Sequence, residues 1–166
     1  MSLPHDLLEQ ARHLAGRERG KPRQSSLRRA VSAAYYALFH LLLGEAAQQA
    51  IPGAIRTLRP LSARAINHGD LKKVALWFAP GGNLPPPLAG LIAISADMHL
   101  FADACIRLQQ LRHEADYDVT VRLTRSQVQQ HVRRAEQAFA AWDRVRATDE
   151  AKAFLALLLV TDRWKR

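Results

Sequence analysis

The stretch "LRRAVSAAYYALFHLL", residues 27–42, decides the fold class. Val31, Tyr35, Leu38 and Leu42 recur at spacings of four, three and four, the repeat of one helical face. Alanines between them allow a neighbouring helix to come close. This predicts a helix capped by Ser25 or Ser26 and ending near Gln48 to Ile51, ahead of Pro52 and Gly53. Tyr35 falls on the buried face, so it reads as wall material whose hydroxyl seeks a single partner at the rim. Tyr36 stands about 100° away, in line with Arg29 and His40. Tyr36 and His40 are thus freer to meet a ligand or a second subunit.

The chain on either side has the same helical alphabet, rich in Ala, Leu, Gln and Arg. A first helix is predicted from Pro4 to Arg19, with Leu7, Leu8, Leu14 and Ala15 on its stripe, before the basic turn "RERGKPRQSS". A third runs from Leu58 to Phe78 with Gly69 in its middle, and "APGGNLPPPLAG" then makes a firm loop. A fourth runs from Leu88 to Arg112 or His113, where "EADYD" turns the chain off the helix. Thr124 and Gln127 fit a capping box for a fifth, Arg125 to Arg146. A short apolar sixth, residues 150–163, should cover the bundle end or a partner subunit. The expected fold is all-α, an up-and-down four-helix bundle with additional short helices, in one domain over 1–166 with its core in 5–145.

The single cysteine, Cys105, excludes an internal disulfide framework and fits a reducing compartment. No apolar run reaches the roughly 18–20 residues of a membrane span, and with no basic region followed by an apolar stretch at the N-terminus no secretion signal is expected. A cytoplasmic protein is expected, without membrane contact. Twenty-four basic residues against fifteen acidic leave a net charge of +9, which favours a polyanionic partner such as nucleic acid. Residues 56–78 hold five basic side chains and one acidic, residues 88–118 two basic and five acidic, and the chain from 119 ten basic and five acidic. An acidic element set among basic ones suits internal pairing as well as ligand binding.

No HExxH, paired CxxC, phosphate-cradling glycine loop or G-x-S-x-G elbow occurs, so no metal and no cofactor are expected. The stretch "DACIRLQQLRHEADYD", residues 103–118, carries more. Arginine offers a forked, permanent charge matched to phosphate oxygens, and histidine moves a proton near neutral pH. Arg107, Arg112, His113 and Tyr117 are the candidate catalytic residues, with Asp116 orienting them, for metal-free RNA cleavage by the strand's own 2′-hydroxyl. Arg64 and His68 lie one turn apart. Together with Arg56, Arg59, Lys72 and Lys73, Arg64 could hold an RNA backbone. The same residues also permit a plain structural reading: Asp103 and Arg107 form an i,i+4 pair, and Tyr117 plugs the bundle end.

In order, "LRRAVSAAYYALFHLL", "NHGDLKKVALWF" and "RLQQLRHEADYD" resemble the HEPN domain family (higher eukaryotes and prokaryotes nucleotide-binding), and within it small prokaryotic proteins with an Arg…Ala-Asp-Tyr signature. The resemblance spans about residues 5–145 and implies a dimeric bundle of four main helices. It implies either a metal-independent ribonuclease, whose arginine and histidine face their symmetry mates across a cleft, or a component of a toxin–antitoxin module paired with a nucleotidyltransferase. Arg107 and His113, with five residues between them, have the ribonuclease spacing. Counted from Arg112, the Ala-Asp-Tyr arginine, Tyr117 stands where that histidine would be. Binding of RNA or nucleotide without turnover therefore remains open beside catalysis.

Overall fold

The computed structural model describes residues 2–63 and 66–161, with the side chains at 54, 56, 62 and 63 outside that description. Its helices are α1 (Leu3–Gly16), α2 (Gln24–Ala50), α3 (Arg59–Ala63), α4 (His68–Phe78), α5 (Ala96–Tyr117), α6 (Arg125–Val145) and α7 (Asp149–Val160). A 3₁₀ stretch, Gly53–Leu58, precedes α3. No strand forms among the described residues. The architecture is an all-α, up-and-down bundle.

The opening stretch lies at its centre. From Ala30 to Phe39 every residue except Tyr36 is buried, so burial runs right round α2 rather than along one stripe. The alanines explain this: Ala30, Ala33, Ala34 and Ala37 let α1, α5 and α6 close in from several sides. By length and hydropathy α2 could cross a membrane, but two-thirds of the relevant window is buried in the bundle (67%). Its first turn lacks the expected serine cap. Ser26 instead donates to the Glu18 carboxylate, and α2 is anchored by tertiary bonds. Gln24 exchanges hydrogen bonds with the backbone of Leu123, and Arg28 donates to the carbonyls of Ala115, Asp118 and Val121.

Three helices differ from expectation, α1 only in ending at Gly16 rather than Arg19. The continuous helix from Leu58 to Phe78 is broken, because Asn67 caps a new one by accepting from the Asp70 amide at 2.9 Å. Gly69 therefore sits in the first turn of α4, not mid-helix. The helix expected from Leu88 begins only at Ala96, where Ser95 is the cap. Leu91, inside the span expected to be helical, is 76% exposed. Before it the proline-rich segment turns back on α4 at Gly82, where a Cβ would collide with the carbonyl oxygens of Leu76 and Trp77.

At its other end α5 does not stop at His113 but continues through "EADY" to Tyr117. Local propensity is overridden there: Ala115 is buried, Arg28 binds its carbonyl, and Asp116 pairs with Arg112 one turn back. The acids of α5 are largely spent within the chain, Asp97 on Arg144, Asp103 on Arg107 and Asp116 on Arg112.

The capping box of α6 forms as expected between Thr124 and Gln127. Thr148 caps α7, and the buried Glu150 accepts from the Ser95 amide at 2.7 Å, joining the starts of α7 and α5. The apolar face of α7 is used inside the chain. Phe154 meets Phe78 and Phe101, ring centroids 5.1 and 5.9 Å away, and Phe101 lies 4.7 Å from Trp142. Burying these rings contributes several kcal/mol, at about 25 cal/mol per Å² of apolar surface. The expected end of this helix at residue 163 lies outside the described residues, as does Arg64.

Candidate functional site

Arg112 is the residue around which the site is built. It lies on the buried side of α5, its side chain only 11% exposed. Its guanidinium carbon is 5.4 Å from the ring centre of Tyr35, 6.0 Å from that of Tyr36 and 5.9 Å from that of Tyr117. Aromatic faces are electron-rich, and a desolvated cation over one gains about 2 kcal/mol. The Asp116 carboxylate stands 3.5 Å from one terminal nitrogen and is held there by the Ser32 hydroxyl, which donates to it at 2.5 Å. The Arg112 Nε has no acceptor among the described residues. A buried guanidinium with a long ion pair and an unmet donor retains capacity for an anion.

Beside it is His68, the first residue of α4. Its Nδ1 lies 2.7 Å from the Tyr35 hydroxyl, and its ring centre is 4.3 Å from that of Phe39. Gln109 on α5 donates to the His68 carbonyl at 2.7 Å, which fixes the start of α4. Burial, then the nearby Arg112 charge, then His40 lower the His68 pKa, so the ring is neutral at pH 7. Burial also raises the Tyr35 pKa, keeping its phenol protonated. The Tyr35 hydroxyl and Nδ1 are therefore joined by one hydrogen bond between neutral groups, whose donor is set by the imidazole tautomer. His40 is likewise lowered by burial, and its ring is 6.3 Å from Tyr36.

The fold brings Tyr36, His40, His68, Arg112, Asp116 and Tyr117 into one polar, aromatic cluster. His113 is exposed at its edge, 5.0 Å ring to ring from Tyr117. Arg107 does not join it. Five residues before Arg112, it lies about 140° round the helix and pairs with Asp103 at 3.4 Å in solvent. Lys72 is exposed on α4 one turn after His68, and Lys73 sits over Trp77, 5.3 Å from the ring centre. Arg59 donates to the Ile51 carbonyl and lines a hollow that His40 also lines. Arg64 and the Arg56 side chain lie outside the described residues.

The sequence reading named Asp116, His68 and Tyr35 but missed Ser32 and the pairings that hold them. Ser32 and Asp116 are 84 residues apart, and Tyr35 and His68 are 33 apart, so no spacing rule links either pair. Among the described residues no group of three or more His, Cys, Asp or Glu side chains converges as metal ligands. His99 is engaged at 2.8 Å with the Phe78 carbonyl. Cys105 is fully buried and its thiol pKa is raised by that burial, so it is a packing residue. No family model, curated protein or solved structure matches the chain.

Proposed function

We propose that this is a cytoplasmic HEPN-like protein that binds the phosphates of RNA or a nucleotide at the Arg112 cluster. The observation that carries the reading is Arg112 itself, buried beneath three tyrosine rings with an unmet donor. The guanidinium charge attracts a phosphate to the exposed edge of the cluster, while Tyr36 and Tyr117 offer faces on which a base can stack. The net charge of +9 draws a polyanion toward such a site. Tyr117 and Val119, 67% and 82% exposed, form an apolar edge beside it on which a second copy can pack, giving the homodimer that the resemblance implies.

Strand scission at this site requires no metal. The 2′-hydroxyl gives up its proton and attacks phosphorus. The bond to the 5′-oxygen breaks, and that oxygen leaves with a proton, yielding a cyclic phosphate and a free 5′-hydroxyl. When Nδ1–H donates to the Tyr35 hydroxyl, neutral His68 keeps a free Nε2 lone pair suited to accept the first proton, His113 handles the second, and Arg112 balances the phosphorane charge. Arg107, paired on another face, is left out of this scheme.

The separation of Arg107 from His113 favours a second reading: the same cluster binds without turnover, and the protein serves as the partner of a nucleotidyltransferase. Incubation with single-stranded RNA in chelator separates the two. Cleavage that is lost in Arg112→Ala and reduced in His113→Ala and His68→Ala supports the ribonuclease. Binding without cleavage supports the partner role. Equal cleavage by all these variants would remove the mechanism.

A further inference from the structure

A second feature adjoins the cluster. Between α1 and α2 lies an open hollow of about 460 Å³, within the size range of small-ligand pockets. Leu7 and Leu14 contribute apolar wall from α1. Arg17, Arg29, Ser32 and Tyr36 bring charge and hydrogen-bonding groups to the lining. No carboxylate lines it. Elsewhere the hollows carry their own counter-ions: one of about 240 Å³ sets Arg12 against Glu136 at 2.8 Å, and one of about 810 Å³ sets Arg146 against Glu45 at 2.7 Å. Two carboxylates stand at its rim, Glu18 accepting from the lining Ser26 hydroxyl at 2.6 Å and Asp116 from the lining Ser32 hydroxyl at 2.5 Å, and neither forms an ion pair with Arg17 or Arg29. Arg17 and Arg29 are exposed, so two forked cations share one concavity with hydroxyls and an aromatic ring.

Tyr36 and Ser32 belong to both places. Tyr36 walls the hollow and also lies 6.0 Å from the Arg112 guanidinium, while Ser32 lines the hollow and holds Asp116. We infer that the hollow is a second phosphate subsite of the same nucleotide-binding surface, Arg17 and Arg29 grasping the phosphoryl oxygens and Tyr36 the neighbouring base. This rests on the nucleotide-binding reading of the Arg112 cluster and extends it to α1, a helix outside the candidate set. A short RNA strand then lies across Tyr36 with one phosphate on either side.

Isothermal titration calorimetry with adenosine 5′-monophosphate, adenosine and inorganic phosphate tests this. The proteins compared are wild type, Arg29→Ala, the double variant Arg17→Ala/Arg29→Ala, Arg112→Lys and, as a charge-matched control on α6, Arg133→Ala. The monophosphate should bind wild type better than adenosine, lose about tenfold or more in Arg29→Ala, and fail in the double variant. Arg133→Ala should bind as wild type. Monophosphate binding that depends on Arg112 but not on Arg17 or Arg29 overturns the subsite and leaves the cluster reading standing. Phosphate binding that needs Arg17 and Arg29, with no preference for the nucleotide, keeps the hollow as an anion site and removes the nucleotide. No binding to wild type, or an equal loss in Arg133→Ala, overturns both.

Discussion

Replacing Tyr35 by phenylalanine removes one atom from the site and nothing else. Tyr35 is 0% exposed, and its hydroxyl makes the 2.7 Å bond to His68 Nδ1 that joins α2 to the start of α4. The ring stays, so no cavity larger than an oxygen opens. What is lost is the net worth of one buried hydrogen bond and the satisfaction of Nδ1, together about 1–2 kcal/mol. For a chain of this length that lowers the melting temperature by roughly 2–8 °C. The clean assay is a double-mutant cycle in urea with Tyr35→Phe, His68→Leu and both together. A coupling of about 1 kcal/mol is expected, because either single variant breaks the same bond. Additivity within about 0.3 kcal/mol would refute the reasoning: the two groups would then be neighbours without an energetic link, and the neutral, oriented His68 would lose its basis.

Other predictions concern pH, the core and the bundle end. His40, His68 and His131 all have folded-state pKa values below the ordinary 6.5, chiefly through burial. The unfolded chain thus takes up protons first. Stability should be complete above pH 6.5 and fall as the pH drops from there through the lower folded values. The slope is at most roughly 1.4 kcal/mol per pH unit per histidine, less for their partial exposure. Urea midpoints from pH 7.5 to 5 measure it, and a flat profile would contradict the burial argument. Phe154→Ala should cost about 3–5 kcal/mol by the same unfolding assay. A loss under about 1 kcal/mol would mean that α7 is not part of the core. Arg28→Met should cost about 1.5–3 kcal/mol and speed amide exchange over residues 115–123, since its guanidinium donates to Ala115, Asp118 and Val121. Unchanged exchange there would show that the α5–α6 turn stands without it.

The legible parts of the fold were those set by local chemistry. Thr124 with Gln127, the proline-rich loop after Phe78 and the apolar periodicity of α6 all carry their signal within a few residues. The start of α5 at Ala96 was not legible because Ser95, four residues after Leu91, fits a helical stripe as well as a cap. Only the exposure of Leu91 separates the two. Helix through "EADY" was illegible for another reason: Arg28 and Ser32, far off in sequence, supply the bonds that override the poor propensity of Asp and Tyr. The candidate site divides in the same way. Arg112, Asp116 and Tyr117 share α5, and their spacing was informative. Arg107 misled because its interval to His113 was suitable while its side of the helix was not. His68 was singled out by type, but its tie to Tyr35 comes only from the packing of α4 on α2.

The central claim is that the buried Arg112 is an anion receptor and not merely a structural ion pair. Fluorescence anisotropy of a labelled single-stranded RNA oligonucleotide, titrated with wild type and with Arg112→Met of verified helical content, tests it directly. The account predicts salt-sensitive binding by wild type and at least a roughly tenfold loss in the variant, about 1.4 kcal/mol. Equal affinity of the two folded proteins would contradict it.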